Sequence, residues 1–317
     1  MKKFIIKIIV PLLLLIVFSY PLDLFISNNL KKSNTYAHGE FSVWNDIIEG
    51  ELYSDLYIYG SSRAWVHFDP MIIQDSTGLS VYNLGMDGHR FIMQYLRHKL
   101  VLEHNKKPQY IIYSLDITTL AKGNLYNPDQ FLPYMLWNND FQEVILKYEG
   151  YNYFDFNIPF LRYSGKHNAI KESLRIFFKG DNPIKRIKGY EGRNESWNKD
   201  FIKAKNKMDS YTVNIDDKSL FLFQKFLSDC KKSNIQVILA YSPYYIKGQE
   251  FIKNQDEIIK MYNNLADKYN LDFFDFTKDS ICYKKKYFYN SGHLNKDGAE
   301  LFTKKLISML KAKKLFK

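Results

Sequence analysis

Short apolar runs alternate with amphipathic helical patterns along most of this chain. The strand-like runs are residues 56–59, 81–84, 110–114, 236–241 and 272–276. Between them, apolar residues at helical spacing predict helices near 70–76, 90–104, 218–233 and 249–269. Short buried strands that are each followed by a helix are typical of a parallel sheet with both faces covered. The pattern predicts a three-layer α/β domain with about five parallel strands within residues 28–317.

The alternation breaks between about residues 118 and 214. This segment is rich in Tyr, Phe, Trp and Asn, and it shows no internal repeat. We interpret it as an insertion into the α/β domain. Its aromatic residues could form the core of a structural insert, since aromatic side chains mostly bury. Alternatively, they could form a lid or a sugar-stacking wall over the site.

The N-terminus carries a mostly apolar run behind lysines. Met1-Lys2-Lys3 precede residues 4–22, and the run extends to Ile26 past Asp23. Such a run is short for a membrane span and resembles the apolar part of a signal peptide. However, no small-x-small cleavage pattern follows it. We therefore predict that residues 1–27 form an uncleaved signal anchor, with a continuous helix over about 4–26 that has few contacts with the body.

The lysines before the apolar run favour an N-terminus on the cytoplasmic side. This predicts a single-pass protein of the plasma (inner) membrane with its main domain on the extracytoplasmic side. The net charge is +11 and the sequence pI is about 9.2. Because the lysines are dispersed among acids and no nucleic-acid motif occurs, we interpret the charge as a solvated surface and predict no nucleic-acid partner.

Histidine and cysteine usage predicts no metal site and no cofactor. His67 and His98 fall in or beside predicted helices without metal-ligand partners. Cys230 and Cys282 are too few for a metal site or a disulfide framework, although a single bridge between them stays open. Neither cysteine has a neighbouring base in the sequence.

Two polar loops carry the candidate chemistry. Gly60-Ser61-Ser62 follows the first strand, so Ser62 would lie at a helix N-terminus, where free N–H groups favour an oxyanion. Near the other end of the chain, His293 lies on a loop before a helix that Asn295 can cap and that runs from about Lys296. An early serine and a late loop histidine form a nucleophile and base if the fold brings them together.

Gly88 and Asp116 also follow predicted strand ends, and together these loops resemble those of the SGNH/GDSL hydrolase superfamily. More narrowly, the chain resembles its membrane-anchored bacterial members associated with cell-surface polysaccharide acylation. The resemblance implies that Ser62, in the place of the serine of Gly-Asp-Ser, is the nucleophile. It implies that the N–H groups of Ser62 and Gly88 are oxyanion donors, and that His293 is the general base of an Asp-x-x-His block.

The chain departs from the family pattern at two positions. Asp116 lies where the family has an oxyanion-hole asparagine, and it would place a negative charge there. Asn290 replaces the acid that orients the histidine; in a Ser-His-Asp triad the Asp→Asn change lowers kcat about 10⁴-fold through the wrong tautomer. Asp116 and Arg63 are candidates for substrate binding, although we expect Arg63 to be a surface charge rather than a clamp for an anionic substrate.

The resemblance implies a flavodoxin-like sheet and a function without a cofactor. We predict an extracytoplasmic serine esterase or O-acyltransferase that moves an acetyl or similar group on a cell-surface polysaccharide. Its partners would be the membrane and either that polysaccharide or a membrane protein that donates the acyl group. The alternative is a catalytically impaired protein of the same fold that binds glycan or assists assembly during polysaccharide export or modification.

Overall fold

A computed structural model describes residues 2–183 and 186–316, apart from the side chains of residues 2–6 and 8–16. The chain forms two compact units. The helical unit consists of Met1–Asn45 and Asn127–Lys185, and the sheet unit consists of Asp46–Tyr126 and Arg186–Lys317. The predicted insertion at 118–214 therefore contributes residues to both units.

Over the described residues, the strands are β1 Leu56–Gly60, β2 Val81–Asn83, β3 Tyr110–Leu115, β4 Gln236–Tyr241 and β5 Asp272–Asp275. The α-helices are α1 Lys2–Leu30, α2 Glu40–Ile48, α3 Ser62–His67, α4 Pro70–Thr77, α5 Phe91–His104, α6 Asn139–Ile145, α7 Tyr153–Asn157, α8 His167–Lys179, α9 Asp200–Lys205, α10 Asp217–Lys232, α11 Ile246–Gln249, α12 Gln255–Tyr269 and α13 Lys296–Ala312. Short 3₁₀ helices occupy Tyr36–Gly39, Pro128–Tyr134, Leu161–Tyr163, Ser280–Tyr283 and Lys285–Tyr287.

The sheet unit contains one parallel sheet with the strand order β2-β1-β3-β4-β5. This is the flavodoxin-like order of doubly wound α/β folds, as predicted. β1 pairs with β3 from Leu56↔Tyr110 to Gly60↔Ser114, so the carboxyl ends of these two strands meet at one edge. In such sheets ligands bind at that edge.

Both faces of the sheet are covered by helices. Alternate side chains of β1 point to opposite faces. Leu56 and Ile58 join a buried cluster that includes Phe302 of α13. On the other face, Tyr113 of β3 packs edge-on against Phe223 of α10, with ring centroids 5.2 Å apart. The two apolar layers hold the ends of β1 and β3 in fixed positions.

The helix predicted over 249–269 is interrupted. The chain instead forms α11 and α12, separated by a short segment whose backbone bonds to Tyr211. The N–H of Tyr211 donates to the carbonyl of Phe251 at 3.1 Å, and the N–H of Lys253 donates to the carbonyl of Tyr211 at 2.9 Å. These bonds to a residue distant in the sequence replace helical bonds, which is why local periodicity missed the break.

In the helical unit, the C-terminal part of α1 is buried. Asp23 and Arg162 form an ion pair with 2.6 Å between Oδ2 and Nη1, and both side chains are 1% exposed. Ile26 and Leu30 are buried as well. The expectation that residues 4–26 make few contacts with the body is therefore wrong from Asp23 onward. The Asp23 carboxylate pairs with Arg162 inside the helical unit, so this part of α1 is not a free helix.

The backbone of α1 is one continuous helix over Lys2–Leu30, which covers the described part of the predicted anchor at 1–27. Most side chains that motivated the anchor, those of residues 2–6 and 8–16, lie outside the described residues. Within the part of the chain that the structure describes, no helix combines the length and apolar character needed to cross a membrane. Anchoring of the N-terminus stays a prediction.

The aromatic residues of the helical unit are of two kinds. Trp44, Phe131 and Phe141 are buried and pack with ring centroids 5.3 to 5.9 Å apart, so they form a core. Trp137 and Phe154, by contrast, are more than half exposed. The core interpretation of the insertion thus holds for Phe131 and Phe141, which pack with Trp44 from outside the insertion, and it does not apply to Trp137 and Phe154.

Candidate active site

Ser62 and His293 form a hydrogen bond at the carboxyl edge of the sheet. Ser62 is the first residue of α3, directly after β1, and its Oγ lies 2.8 Å from Nε2 of His293. The prediction that the two side chains lie within hydrogen-bond reach is confirmed. The turn from β1 into α3 requires glycine. Gly60 has a φ of 142°, and a Cβ at this position would lie 2.7 Å from the carbonyl oxygen of Ser114.

Asn290 fixes the tautomer of His293. Its Oδ1 accepts the backbone N–H of Gly292 at 3.0 Å and that of His293 at 2.9 Å, and it lies 3.0 Å from Nδ1 of His293. Because two backbone donors hold the oxygen, the amide presents an acceptor to the ring. Nδ1 therefore carries the hydrogen, and Nε2 has a free lone pair for the Ser62 hydroxyl. This is the tautomer that a general base needs.

The environment of His293 keeps the imidazole neutral. Burial, together with the positive charge of Arg63, lowers the pKa of His293 to about 4, although the carboxylates of Asp87 and Asp116 act in the opposite direction. At neutral pH the ring can therefore accept a proton. The ring of Tyr289 stacks on His293 with 5.4 Å between centroids and an interplanar angle of 12°, which restricts its rotation.

Arg63 is 4% exposed, so the expectation of a surface charge is wrong. Its guanidinium lies over the rings of Tyr241 and Tyr244, at 4.7 and 5.3 Å from their centroids. Nη2 donates to Oγ of Ser242 at 2.9 Å and also to the Ser242 carbonyl. Arg63 follows Ser62 by one helical position, which turns its side chain under the end of β4 instead of toward solvent.

His67 was not recognised from the sequence as part of the site. It is buried, and its Nε2 accepts the backbone N–H of Leu294 at 2.9 Å. The ring hydrogen must then be on Nδ1, which donates to Oγ of Ser242 at 2.7 Å. Burial lowers the pKa of His67 well below its ordinary value, so the ring stays neutral. His67 thereby connects the loop that carries His293 to α3. The sequence feature that could have indicated this role is its position four residues after Arg63, on the same face of α3.

Asp116 is a carboxylate whose oxygens are both occupied. Ser61 donates to Oδ2, and the N–H and hydroxyl of Thr118 donate to Oδ1 at 2.7 and 2.8 Å. Burial alone would raise its pKa, but the charges of Arg90 and Arg63, together with these hydrogen bonds, hold the pKa of Asp116 below its ordinary value. The negative charge predicted from the sequence is thus present, and it is compensated by cations.

One cavity of about 200 Å³ collects these groups. Ser62, Gly88, Asp116, Arg63 and His293 all line it. The sequence reasoning missed several lining residues, among them Arg90, Thr118, Tyr211 and Tyr244. Gly88 has a φ of 68°, and a Cβ at this position would lie 2.4 Å from the ring of Tyr126, so the backbone there requires glycine.

The remaining nucleophile and ligand candidates are inert in this fold. Cys230 and Cys282 are buried free thiols, so no bridge joins them, and burial raises their pKa values to about 12 and about 11. Among residues 2–183 and 186–316, no group of three or more His, Cys, Asp or Glu side chains is placed to hold a metal ion.

Comparisons with known proteins give weak similarities. No protein-family profile matches the chain, and no curated protein matches it. Similar solved structures include an acetyl xylan esterase (AlAXEase), with 15% identity, a TM-score of 0.42, and coverage of 80% of this chain and 99% of that one. A putative acylhydrolase from Bacteroides fragilis NCTC 9343 has 11% identity, a TM-score of 0.36, and coverage of 80% and 86%.

Proposed function

We propose that this protein is a serine esterase or O-acyltransferase in which Ser62 is the nucleophile and His293 is the general base. The observation that carries the proposal is the 2.8 Å bond between Ser62 Oγ and His293 Nε2, with Nδ1 of the same ring on the Asn290 oxygen. A serine hydroxyl becomes a useful nucleophile when an adjacent base accepts its proton and a third group orients that base.

The chemistry begins when Ser62 Oγ attacks an ester carbonyl carbon and its proton moves to Nε2 of His293. The carbonyl oxygen becomes an oxyanion, for which the N–H groups of Ser62 and Gly88 are the proposed donors. Collapse of the tetrahedral species breaks the bond to the alcohol, which leaves with the proton from His293. Water or a sugar hydroxyl then attacks the acyl-serine, again with His293 as base, and restores the Ser62 hydroxyl.

We further propose that the substrate is a cell-surface polysaccharide on the extracytoplasmic side of the membrane. A groove of about 580 Å³ in the sheet unit supports this; its lining includes Trp197, Arg193, Lys285, Lys286 and Lys296. Glu195 and Asp297 also line the groove, so its four cations exceed its acids by two. An indole beside this excess of positive charge suits a sugar chain that carries acidic groups, because the indole offers an apolar face to the sugar rings and the cations attract the acids.

The groove is joined to the loop that carries His293. The N–H of Asn198 donates to the carbonyl of Tyr289 at 2.7 Å, and the N–H of Lys296 donates to the carbonyl of Arg193 at 2.9 Å. Trp197 is held in place by the ring of Tyr245, at 4.9 Å between centroids. A polymer bound along this groove would lie one loop away from the acyl-transfer site.

The rival function is glycan binding without catalysis. It is favoured by the neutral Asn290 in place of an acid and by the carboxylate of Asp116 in the cavity. We prefer the enzyme because the dyad has the geometry, tautomer and protonation state of a working base, and binding alone needs none of these.

The test uses a fluorophosphonate serine probe and hydrolysis of a small acetyl ester. The wild type and a Ser228→Ala control on α10 are expected to be labelled and active, whereas Ser62→Ala is expected to be neither. Labelling that survives Ser62→Ala would show that the nucleophile is another residue. If the folded wild type is neither labelled nor active, the glycan-binding function is favoured.

A further inference from the structure

The helical unit exposes a group of large aromatic side chains around α1, which we call the aromatic collar. Its members are Phe18, Tyr20, Trp137, Phe177 and Phe178. Phe178 is 76% exposed and Phe18 is 69% exposed. Isolated apolar residues are normal on a protein surface, but a contiguous apolar patch indicates a contact with a membrane or another molecule.

Ring contacts connect the collar on both sides of α1. The rings of Tyr20 and Trp137 lie 5.3 Å apart between centroids. On the α8 side, Phe177 packs against Phe25 of α1 at 5.1 Å and against Phe178 at 5.0 Å. The contacts place Trp137 and Phe177 against α1 between Tyr20 and Phe25, on either side of the position of Asp23.

The composition of α8 shows that the exposed face is not an ordinary solvated one. Ala169, Ser173 and Ile176 are its buried residues, which accounts for one face of an amphipathic helix. The remaining surface should be polar if it faced water. That surface is mostly polar, with Lys171 and Lys179 exposed, but Leu174, Phe177 and Phe178 are exposed there as well.

The buried ion pair fixes where α1 enters the helical unit. Asp23 pairs with Arg162 inside the unit, so this position of the helix lies within protein. Phe18 lies five residues earlier, about 7.5 Å along the axis at 1.5 Å per residue. Continuing toward the N-terminus, the sequence is the apolar run with the lysine flank. The collar thus lies at the junction between that run and the folded unit.

We propose that the aromatic collar lies in the interfacial region of a lipid bilayer. Tyr20 and Trp137 match the Tyr and Trp of the aromatic belts at membrane–water boundaries, and the Phe side chains match the apolar face of helices that lie in the interface. Exposed Lys171 and Lys179 of α8 add positive charge next to the collar, which favours anionic headgroups. This inference rests on the proposed membrane attachment and is independent of the proposed acyl-transfer chemistry.

Spin labels provide the test, because the native Cys230 and Cys282 are buried. Phe178→Cys places a nitroxide on the collar, and Phe221→Cys places one on α10 of the sheet unit, where Phe221 is 67% exposed. The full chain is reconstituted in vesicles of phosphatidylcholine and phosphatidylglycerol. Collisions are then measured with oxygen, which concentrates in lipid, and with a nickel chelate, which stays in water.

The label at 178 is expected to collide preferentially with oxygen, and the label at 221 with the nickel chelate. If both labels collide mainly with the nickel chelate, the collar faces water and the proposal is overturned. If the label at 178 is shielded from both agents, a second copy or another protein covers the collar, which also overturns it. The fluorophosphonate probe is also added to the same vesicles. Labelling of Ser62 there tests the proposed chemistry by itself, whichever result the collision measurement gives.

Discussion

The amide oxygen of Asn290 lies 3.0 Å from Nδ1 of His293 and also accepts the backbone N–H of the same residue at 2.9 Å. The side chain therefore cannot turn its NH₂ toward the ring without losing backbone bonds. An asparagine held in this way selects the same tautomer as a carboxylate would. What it lacks is the negative charge that stabilises the imidazolium formed during attack.

Replacing Asn290 with Asp should raise esterase activity about 10-fold, which corresponds to about 1.4 kcal/mol of transition-state stabilisation. The added charge should also raise the pKa of His293 from about 4. The base is active when unprotonated, so the acid limb of kcat/KM should move to higher pH. The measurement is the pH profile of acetyl ester hydrolysis by both proteins.

Asn290→Ala is the matched control. It removes the acceptor of Nδ1 and of two backbone N–H groups, so activity should fall below that of the wild type. If Asn290→Ala and Asn290→Asp behave alike, the amide does not orient His293, and the argument from the tautomer is wrong.

A second prediction concerns His67. His67→Phe leaves the buried N–H of Leu294 without its partner, at a cost of about 1–3 kcal/mol. The hydroxyl of Ser242 loses its bond to His67 but keeps the one from Arg63. We expect kcat to fall more than KM changes, because the loop that carries the base is loosened. Urea unfolding and steady-state kinetics measure the two effects. His104→Phe, at an exposed position on α5, is the control.

The stability and the kcat of His67→Phe together distinguish a positioning role of His67 from a purely structural one. If stability falls while kcat is unchanged at a temperature where the variant is folded, His67 supports the fold and does not position the base.

The sequence predicted the sheet and the dyad because both depend on local signals. The apolar runs at 56–59 and 110–114 differ by one residue from the observed strands. Parallel strands then bring their carboxyl ends to one edge, which is why Ser62 and His293 could be paired across the chain.

The surroundings of the dyad were not predictable in the same way. Arg63 bonds to Ser242, and His67 bonds to Leu294, across 179 and 227 positions of the sequence. Nothing in a local window shows that a charged or titratable side chain will be buried by such a distant partner. Burial of Arg63 and the role of His67 therefore required the tertiary structure.

Buried neutral histidines predict acid lability. Burial lowers the pKa of His98 to about 4, against about 6.5 in an unfolded chain. Above pH 6.5 both states are neutral and His98 has no effect. As the pH falls below 6.5, the unfolded state binds the proton first, so folding free energy is lost until about pH 4.

We expect His98→Gln to lose about 2 kcal/mol less stability than the wild type between pH 7.5 and 5.0, following the linkage of one such group. Urea unfolding at the two pH values measures this difference. His104→Gln, at the exposed end of α5, should behave as the wild type. An equal loss in the wild type and His98→Gln would show that the pKa of His98 is the same in the folded and unfolded states, so burial does not lower it.

The last prediction exchanges the side chains at positions 61 and 116, which share a hydrogen bond in the cavity. Ser61 donates to the carboxylate of Asp116, which follows the end of the neighbouring strand β3. Ser61→Asp alone would put two carboxylates in contact, and Asp116→Asn alone would leave the charges of Arg90 and Arg63 without their counterion. Each single variant should therefore be less stable than the wild type.

The double variant Ser61→Asp/Asp116→Asn restores one acid and one amide, so its stability should exceed the sum of the two single effects. A coupling energy of about 1–3 kcal/mol in a urea double-mutant cycle is expected, because the two groups share a hydrogen bond. The amide at 116 could also donate to an oxyanion, as the carboxylate cannot, so ester hydrolysis should exceed that of the wild type. Additive stability effects would show that the two side chains do not form one unit. Restored stability without increased hydrolysis would place position 116 outside the oxyanion site, because its amide would then be present but would not reach the developing charge.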